Sequence, residues 1–347
     1  MSDALKQYDR WLTGNDGPAA LVIREHLMPV EGHDAAVFPP TFAAGDGFPG
    51  GYNIDKFGEE KEGRNVCLID SVGSQATRIV PIFAEGECAN LIPQVVVEAG
   101  EKKINLLEAG HRAGDALVRC SELKDELHGA FRAVQMGDAE PLAKLAPTSL
   151  VFGAWDSRDT QAKLPRLVSS AIRAFDVRKL SRSAQYIPAI EYVANGLLEE
   201  PKDKKARDGY AERGFIHVPA SGSHGGVIVT NGIRRDATLS LAALHLLKTT
   251  DPDRTLVLRR YILGLSLVAL TANTSTYLRQ GCNLVLDADK PREFHEVYRD
   301  GRREPATISH DDAQAFAKSA AQTFGPGESR IVAFDKKKAK EDVKKKD

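Results

Sequence analysis

The chain has 347 residues and a formal net charge of −1, with 47 lysines and arginines against 48 aspartates and glutamates. This balance is not typical of a protein that binds polyanions over its whole surface, although it leaves room for one basic groove. Hydrophobic residues make up 42% and charged residues 27%, as in soluble globular proteins, so a sizeable core can form.

Signals for secretion, membrane insertion and disulfides are absent from the sequence. The first twenty residues carry charges and no apolar run, so we expect no secretory leader. The most apolar segment, Leu256–Ala272, carries Arg259 and Arg260, and its uncharged remainder is too short to span a bilayer. The four cysteines form no C-x-x-C pair. We therefore expect reduced thiols in a cytoplasmic protein that makes no membrane contact.

The N-terminal part of the chain begins with a strand pattern and then changes character. Leu21–Val30 alternates apolar and polar residues, which predicts a strand. Residues 31–65 are rich in glycine, proline and aromatic residues and have no period, so we expect a long functional loop inserted there. A second, charged insertion is predicted at about 198–213.

A short amphipathic helix is predicted after Asp70, which we interpret as its N-cap. Its apolar residues lie on one side, whereas Ser71, Gln75 and Arg78 follow one another at i, i+4 and i+7. Helical geometry places these three on one stripe, which we expect to face away from the core.

The remaining elements mix helices and strands without a regular β-α alternation, which predicts an α+β fold rather than a doubly wound sheet. Strands are predicted at Pro93–Ala99, Thr148–Gly153, Val227–Thr230, Cys282–Asp287 and Phe294–Tyr298, and helices within Ala113–Met136 and at Arg235–Lys248, Arg254–Ala272 and Asp311–Phe324. The lysine-rich end, 333–347, is predicted to be a flexible tail.

The strongest basic cluster outside this tail is Trp155–Ser183, with seven basic and three acidic residues. It combines arginine and lysine for phosphates, hydroxyl groups for sugar and phosphate oxygens, and an aromatic ring for stacking. These are the residue types that hold single-stranded RNA.

Catalytic and metal-binding motifs are not found. The glycine-rich segment Ser221–Gly232 fits neither the phosphate-loop nor the dinucleotide spacing, and it is interpreted as a tight turn. The nine histidines show no zinc spacing. Two alternatives stay open: an endoribonuclease that uses Asp156, His217 or His224, and a small-molecule enzyme with its site at Ser221–Gly232.

Three long segments and one short loop together resemble a known family. They are Cys67–Phe83 (CLIDSVGSQATRIVPIF), Ser149–Val177, Gly214–Leu247 and the FPPTF loop Phe38–Phe42. In this order they resemble the RAMP-superfamily backbone protein of the type I-U (I-G) CRISPR interference complex, of the Csb lineage. The resemblance spans roughly residues 15–330.

This resemblance implies an RRM-like (ferredoxin-like) palm with large insertions, over residues 1–332. Copies of such a subunit stack head to tail along a CRISPR RNA, whose open segments pair with target DNA. The resemblance also implies other Cascade-like subunits and a helicase-nuclease as partners, a role in antiviral defence, and a backbone that is itself no enzyme. No cofactor and no metal are implied.

The family motifs also supply candidate RNA-binding positions, one group in each motif. These are Ser71, Gln75, Arg78, Trp155, Arg158, Lys163, Arg166, Ser169, Arg173, Arg182, Arg234 and Arg235. We expect the last two at the start of a helix, where the dipole favours phosphate.

Members of the family kink the guide with a projecting thumb, for which two segments are candidates. The aromatic loop Val37–Tyr52 carries Phe38, Phe42 and Phe48, which we expect either to wedge against bases or to form a local core. The charged insertion Glu199–Arg213 is the alternative.

Overall fold

The computed structural model describes residues 3–14, 16–57, 63–273 and 275–344, and only the backbone of residues 3, 4, 184, 185 and 220–223. Its strands are β1 (Ala20–Pro29), β2 (Thr41–Phe42), β3 (Gly51–Tyr52), β4 (Ile54–Lys56), β5 (Asn65–Asp70), β6 (Val95–Ala99), β7 (Lys102–Asn105), β8 (Val168–Phe175), β9 (Val177–Tyr186), β10 (Val218–Val229), β11 (Ile233–Ser240), β12 (Tyr277–Arg279), β13 (Cys282–Leu286), β14 (Glu293–Val297), β15 (Arg303–Pro305) and β16 (Arg330–Ala333). Its α-helices are α1 (Asp3–Lys6), α2 (Val72–Ile79), α3 (Ala116–Arg119), α4 (Lys124–Gln135), α5 (Glu140–Leu145), α6 (Thr148–Phe152), α7 (Lys204–Glu212), α8 (Leu241–Leu244), α9 (Pro252–Thr271), α10 (His310–Phe324) and α11 (Lys336–Lys344). Within these ranges, no helix has both the length and the apolar content needed to cross a bilayer.

The centre of the molecule is an antiparallel sheet in the order β12-β13-β1-β11-β8-β5-β4, in which β14 also pairs with β1. Both β1 and β8 are antiparallel to β11, so they are parallel to each other. The order β14-β1-β11-β8 is that of the split β-α-β ferredoxin-like arrangement, with α9 as the crossing helix between β11 and β14. The α+β class with insertions is confirmed.

One face of this sheet is covered by helices and carries the larger core. Because strand side chains alternate between faces, Leu21, Ile23 and Leu239 point to the same side and are fully buried. They share a core with α9, whose residues from Leu258 to Thr271 are all buried except the partly buried Arg259. A Cβ at Gly264 would lie 2.7 Å from the Cα of Ala317, so glycine permits the close packing of α10 on α9.

A smaller core lies on the same face near the other end of the strands. It joins Cys67, Ile172 and Ile233 of the sheet to residues of the loop after β1, including Val37 and Tyr52. The loop predicted at 31–65 is therefore anchored to the palm and contains β2, β3 and β4. Within that loop, 58–62 lie outside the described residues. All four cysteines are buried free thiols, as predicted.

The insertion between β8 and β11, here called the arm, runs from β9 to β10 and includes residues 177–229. Its two strands pair with each other in a separate antiparallel ribbon. The chain turns from β8 into β9 at Asp176, whose φ of 54° is left-handed, and Asn231 donates to the Asp176 side chain at 2.9 Å. The insertion predicted at 198–213 is thus the end of a longer element, and that end contains α7.

Three predicted elements are wrong. Thr148–Gly153 forms the helix α6, because a short buried apolar run fits a helix as well as a strand. Arg235–Lys248 is not a helix but β11 followed by the short α8. Its alternating pattern of apolar residues was hidden by Arg235, which is buried on the apolar face. Ser221–Gly232 is not a tight turn, since its backbone continues β10 as far as Val229.

The C-terminal strands and helix also differ in detail from expectation. The predicted strands at 282–287 and 294–298 exist, but each pairs with β1 rather than with the other. Residues 336–344, expected in a flexible tail, form α11, which is attached by an ion pair between Arg119 and Asp342 at 2.9 Å. The last three residues, 345–347, lie outside the described ones.

Candidate nucleic-acid interface

The second face of the central sheet carries side chains that do not enter either core. We call it the open face. In the β8-β11 register, Ser169 lies beside Thr238, Ala171 beside Asp236, and Arg173 beside Arg234. Arg24 of β1 lies next to Asp236 on the same face. None of these described residues belongs to a core cluster, and all but Ala171 are partly exposed.

The open face carries more positive than negative charge. Arg24 and Arg234 both contact the Asp236 carboxylate, at 3.0 and 2.8 Å. Arg234 also lies over the ring of Phe175, at 4.7 Å from its centroid. Arg173 makes no ion pair within the described parts of the chain, so it remains available to an added anion.

Asp236 stays ionised among these arginines. Burial raises the pKa of its carboxyl group, but hydrogen bonds from Arg234 and Arg24 outweigh burial and lower the pKa below its usual value. One carboxylate therefore neutralises part of the charge of two arginines. The third arginine, Arg173, gives the surface the character of a phosphate-binding track.

The loop that leads into β8 carries a second group of candidate residues. Trp155 is 58% exposed, and the Lys163 amine lies 5.8 Å from its ring centroid. Arg166 is exposed two residues before β8 and has no ion pair in the described ranges. An exposed indole with a lysine amine beside it suits the stacking of an unpaired base.

Asp156 organises this loop and is not poised for chemistry. Its carboxylate accepts hydrogen bonds from the Thr160 hydroxyl at 2.7 Å and from the Thr160 and Asp159 backbone amides at 2.8 and 3.2 Å. Burial raises the pKa of Asp156, but these hydrogen bonds outweigh it and lower the pKa below its ordinary value. It thus acts as the acceptor that closes the turn.

The other candidates for nuclease chemistry lie apart from Asp156. His217 is exposed near the start of β10, and the His224 ring packs against that of Tyr52 at 4.8 Å. No hydrogen bond or ion pair joins either histidine to Asp156 within the described residues. The structure thus does not bring these three together as a catalytic group.

The base of the arm continues the basic surface. Arg178, Lys179 and Arg182 are exposed on β9, directly after the β8 residues of the open face. The Arg182 guanidinium lies 5.6 Å from the ring centroid of Phe38. Sequence reasoning placed Arg178 and Lys179 in the basic cluster but not among the site residues, and it missed Arg24 altogether.

The predicted stripe of Ser71, Gln75 and Arg78 does not face solvent, so that part of the prediction is wrong. Ser71, not Asp70, is the N-cap of α2. The buried Asp70 carboxylate accepts hydrogen bonds from Gln75 at 2.7 Å and Arg78 at 3.1 Å. A buried carboxylate is stable only when it is hydrogen-bonded. The polar side of α2 therefore faces Asp70 and not the solvent.

Arg235 is also placed differently from expectation. It follows Arg234 in a strand, so it points to the covered face, where it is buried and paired with Glu25 at 2.8 Å. It lies in no helix N-terminus, and the predicted dipole contact with phosphate is therefore wrong for both arginines. Arg158 is exposed in the loop that Asp156 closes.

The three phenylalanines of the loop after β1 have different surroundings. Phe38 packs against Gly226 and Gly281, where an added Cβ would come within 3.3 and 2.6 Å of the ring. Phe48 is partly buried, and Phe42 is 39% exposed. Phe38 is thus part of a local packed cluster, and Phe42 is the most accessible of the three.

The far end of the arm is the more prominent apolar surface. Tyr186, Ile187 and Leu197 are each more than half exposed. The hydrogen bonds described for residues 187–217 stay within the arm, among them Tyr210 to the carbonyl of Glu199 at 3.0 Å. A contact for another macromolecule is the ordinary reason for such a cluster on a projecting ribbon.

Residues 21–179 match the model of the family described as CRISPR-associated protein GSU0053. This match confirms the resemblance to a CRISPR-associated family that the sequence motifs indicated. It includes β1, β5, β8 and the loop of Trp155, but neither β11 nor most of the arm. No curated protein matches the chain.

Proposed function

We propose that this chain, whose residues 21–179 match a CRISPR-associated family, is a subunit that binds CRISPR RNA and multimerises along it in a Cascade-like complex. The guide would then be presented for pairing with target DNA. Other subunits of the complex and a helicase-nuclease would be its further partners.

The open face is the observation that carries this proposal. A face of a central sheet that no core cluster uses, with Arg24, Arg173 and Arg234 on it, supports backbone contacts to single-stranded RNA. The protein would contact phosphates and sugars, while base pairing would supply sequence specificity.

The arm is the better of the two thumb candidates. It extends from the hairpin between β8 and β11, it has its own ribbon, and it ends in exposed apolar side chains. By contrast, Phe38 of the loop after β1 is held by Gly226 and Gly281. We propose that the arm separates neighbouring segments of the guide and contacts the next copy of the chain.

The chain in this proposal has no catalytic role of its own. Asp156 supports the proposal because its oxygens are used by the turn it closes. The observed positions of His217 and His224 supply no acid-base pair for RNA cleavage. An endoribonuclease activity would need residues beyond those three.

The test is to co-express the chain with a CRISPR array and purify it with and without RNase. We expect a large particle with a high ratio of absorbance at 260 to 280 nm and RNA of one discrete length. RNase should shorten the particle. A particle of fixed size that contains no nucleic acid would contradict the proposal.

A charge-reversal pair makes the test specific to the open face. The double variant R173E/R234E should release the RNA, whereas R330E should retain it. Arg330 is an exposed arginine of β16, paired with Glu126 at 2.6 Å and distant in the topology from β8 and β11. Equal RNA retention by the two variants would exclude the open face as the interface.

A further inference from the structure

Arg112 is a buried arginine that lies outside the open face and has no acidic partner. It exposes 8% of its surface. Its Nη1 donates to the Gly153 carbonyl at 3.0 Å, and its guanidinium lies 5.3 Å from the centroid of the Phe152 ring. The Nε atom has no hydrogen-bond partner, and no carboxylate of the described residues lies within salt-bridge distance. A buried charge in this position is costly unless an anion joins it.

The backbone at Arg112 is strained as well. Its φ of 52° lies in the left-handed region of backbone conformations, which residues other than glycine rarely adopt. Such strain persists where the surrounding structure holds a residue in place for function. Backbone strain and a buried charge are two separate costs at one residue, and one hydrogen bond to a carbonyl and one ring contact do not supply the missing negative charge.

A second arginine without an acidic partner lies beside it. Arg166 is exposed, and the bend at Gly153 brings the two together: the Gly153 carbonyl binds Arg112, and a Cβ on Gly153 would lie 2.8 Å from Arg166 Cγ. Burial and the nearby charge of Arg166 lower the pKa of Arg112 to about 10. The two like charges repel each other, and an anion between them removes the repulsion.

We infer that Arg112 and Arg166 form a phosphate-binding pair at the Gly153 bend. Guanidinium groups bind phosphate oxygens through paired hydrogen bonds. The buried Arg112 and the exposed Arg166 would each donate hydrogen bonds to the same phosphate group. A phosphodiester of the bound RNA is the source of this phosphate, a step that rests on the proposed function. The pairing itself rests only on the geometry of the two arginines.

The first arm of the test measures thermal unfolding of the RNase-treated chain in chloride buffer, with and without inorganic phosphate. Phosphate should raise the Tm of the wild type but not that of R112M or R166M. The control is R235M, which removes a buried arginine that has the acidic partner Glu25. R235M should melt at a lower temperature and still show the phosphate shift.

A structural role for Arg112 gives a different pattern. Without phosphate, R112M should be at least as stable as the wild type, because the variant removes a buried charge that no group neutralises. A Tm far below that of the wild type, with the phosphate shift unchanged, would make Arg112 an ordinary structural residue. If R112M does not fold, the test rests on R166M, which changes an exposed residue. A phosphate-induced rise in Tm that is unchanged in R166M would overturn the pair.

The second arm measures RNA binding by the same variants. Affinity should fall about tenfold or more for R112M, and the slope of log affinity against log salt should fall by about 0.7. An Arg112-dependent phosphate shift in a chain that retains no RNA would support the pair and contradict the proposed function. RNA bound equally tightly by all variants, with no phosphate shift, would overturn the pair and leave the proposed function standing.

Discussion

Arginine side chains have different surroundings on the two faces of the central sheet. On the covered face, Arg235 is buried against Glu25, which also pairs with Arg292 at 3.0 Å. On the open face, Arg24, Arg173 and Arg234 have Asp236 between them, and Glu293 lies 4.0 Å from Arg24. The buried Arg235 thus has a carboxylate beside it inside the protein, whereas Arg173 on the open face has no ion pair within the described residues. A surplus that the fold does not use points to an external anion.

The largest effect on the free energy of unfolding should come from a substitution on the covered face. R235M leaves the Glu25 carboxylate buried with only Arg292 beside it, so we expect a loss of about 3 kcal/mol in the free energy of unfolding. R234M, one residue away but on the open face, should cost less than about 1 kcal/mol. Urea unfolding of the two variants measures the difference, and similar losses would remove the distinction between the faces.

The open face should dominate RNA binding instead. R173E/R234E removes two phosphate contacts. The slope of log affinity against log salt should therefore become less negative by about 1.4, at about 0.7 per contact for single strands. If a whole copy of the chain neutralises about four phosphates, its slope should be near −3 on the same rule. Fluorescence anisotropy with a labelled guide at several salt concentrations supplies the slopes. Wild-type binding that does not depend on salt would contradict a phosphate track.

The loop beside β8 offers a test that does not involve charge. W155A removes an exposed ring, so stability should change little, whereas stacking on one base should be lost at about 1 to 3 kcal/mol of binding energy. Calorimetric titration with single-stranded RNA measures this loss, and W155F should restore part of it. Unchanged binding by W155A would place Trp155 outside the interface.

The smallest effect should come from Asp236 and should have two opposite signs. D236N frees Arg234 and leaves Arg24 with Glu293 alone, at 4.0 Å, so RNA should bind somewhat more tightly. The same change should lower stability at neutral pH by about 1 kcal/mol or less, because the exposed ion pairs are lost. Because the pKa of Asp236 is lowered in the folded state, its stabilising contribution is present above the ordinary pKa of an aspartate, about 3.9, and is lost as pH falls below that value. Urea titrations from neutral to acidic pH should show the wild type and D236N converging.

Part of the fold could be predicted because local patterns were strong. The long, mostly apolar sequence of α9 and the alternation in β1 each correspond to one structure. The predictions failed where a single residue broke the pattern. Arg235 on the apolar side of β11 concealed the alternation, and the apolar TSLVF segment of α6 was too short to show a period.

The candidate site was predictable in part for the same reason. Ser169, Arg173 and Arg234 were selected from the basic cluster and the family motifs, and they do share the open face. Arg24 carried no local signal, since only the pairing of β1 with β11 brings it to Asp236. The stripe of α2 was visible as a stripe, but its direction depended on Asp70, a buried carboxylate whose partners lie up to 209 positions away at Arg279.

The sequence by itself determined the α+β class, the buried helices, the reduced cysteines and the concentration of basic residues around β8, because these depend on composition and short-range periodicity. Only the tertiary structure decided which arginines are neutralised. Arg234 and Arg235 are neighbours in the chain, and strand alternation together with the pairing of β1 to β11 places Arg234 beside Asp236 on the open face and Arg235 beside Glu25 on the covered face. Arg112 follows the same rule, since its missing counter-charge is visible only once Gly153 and Arg166 are placed beside it.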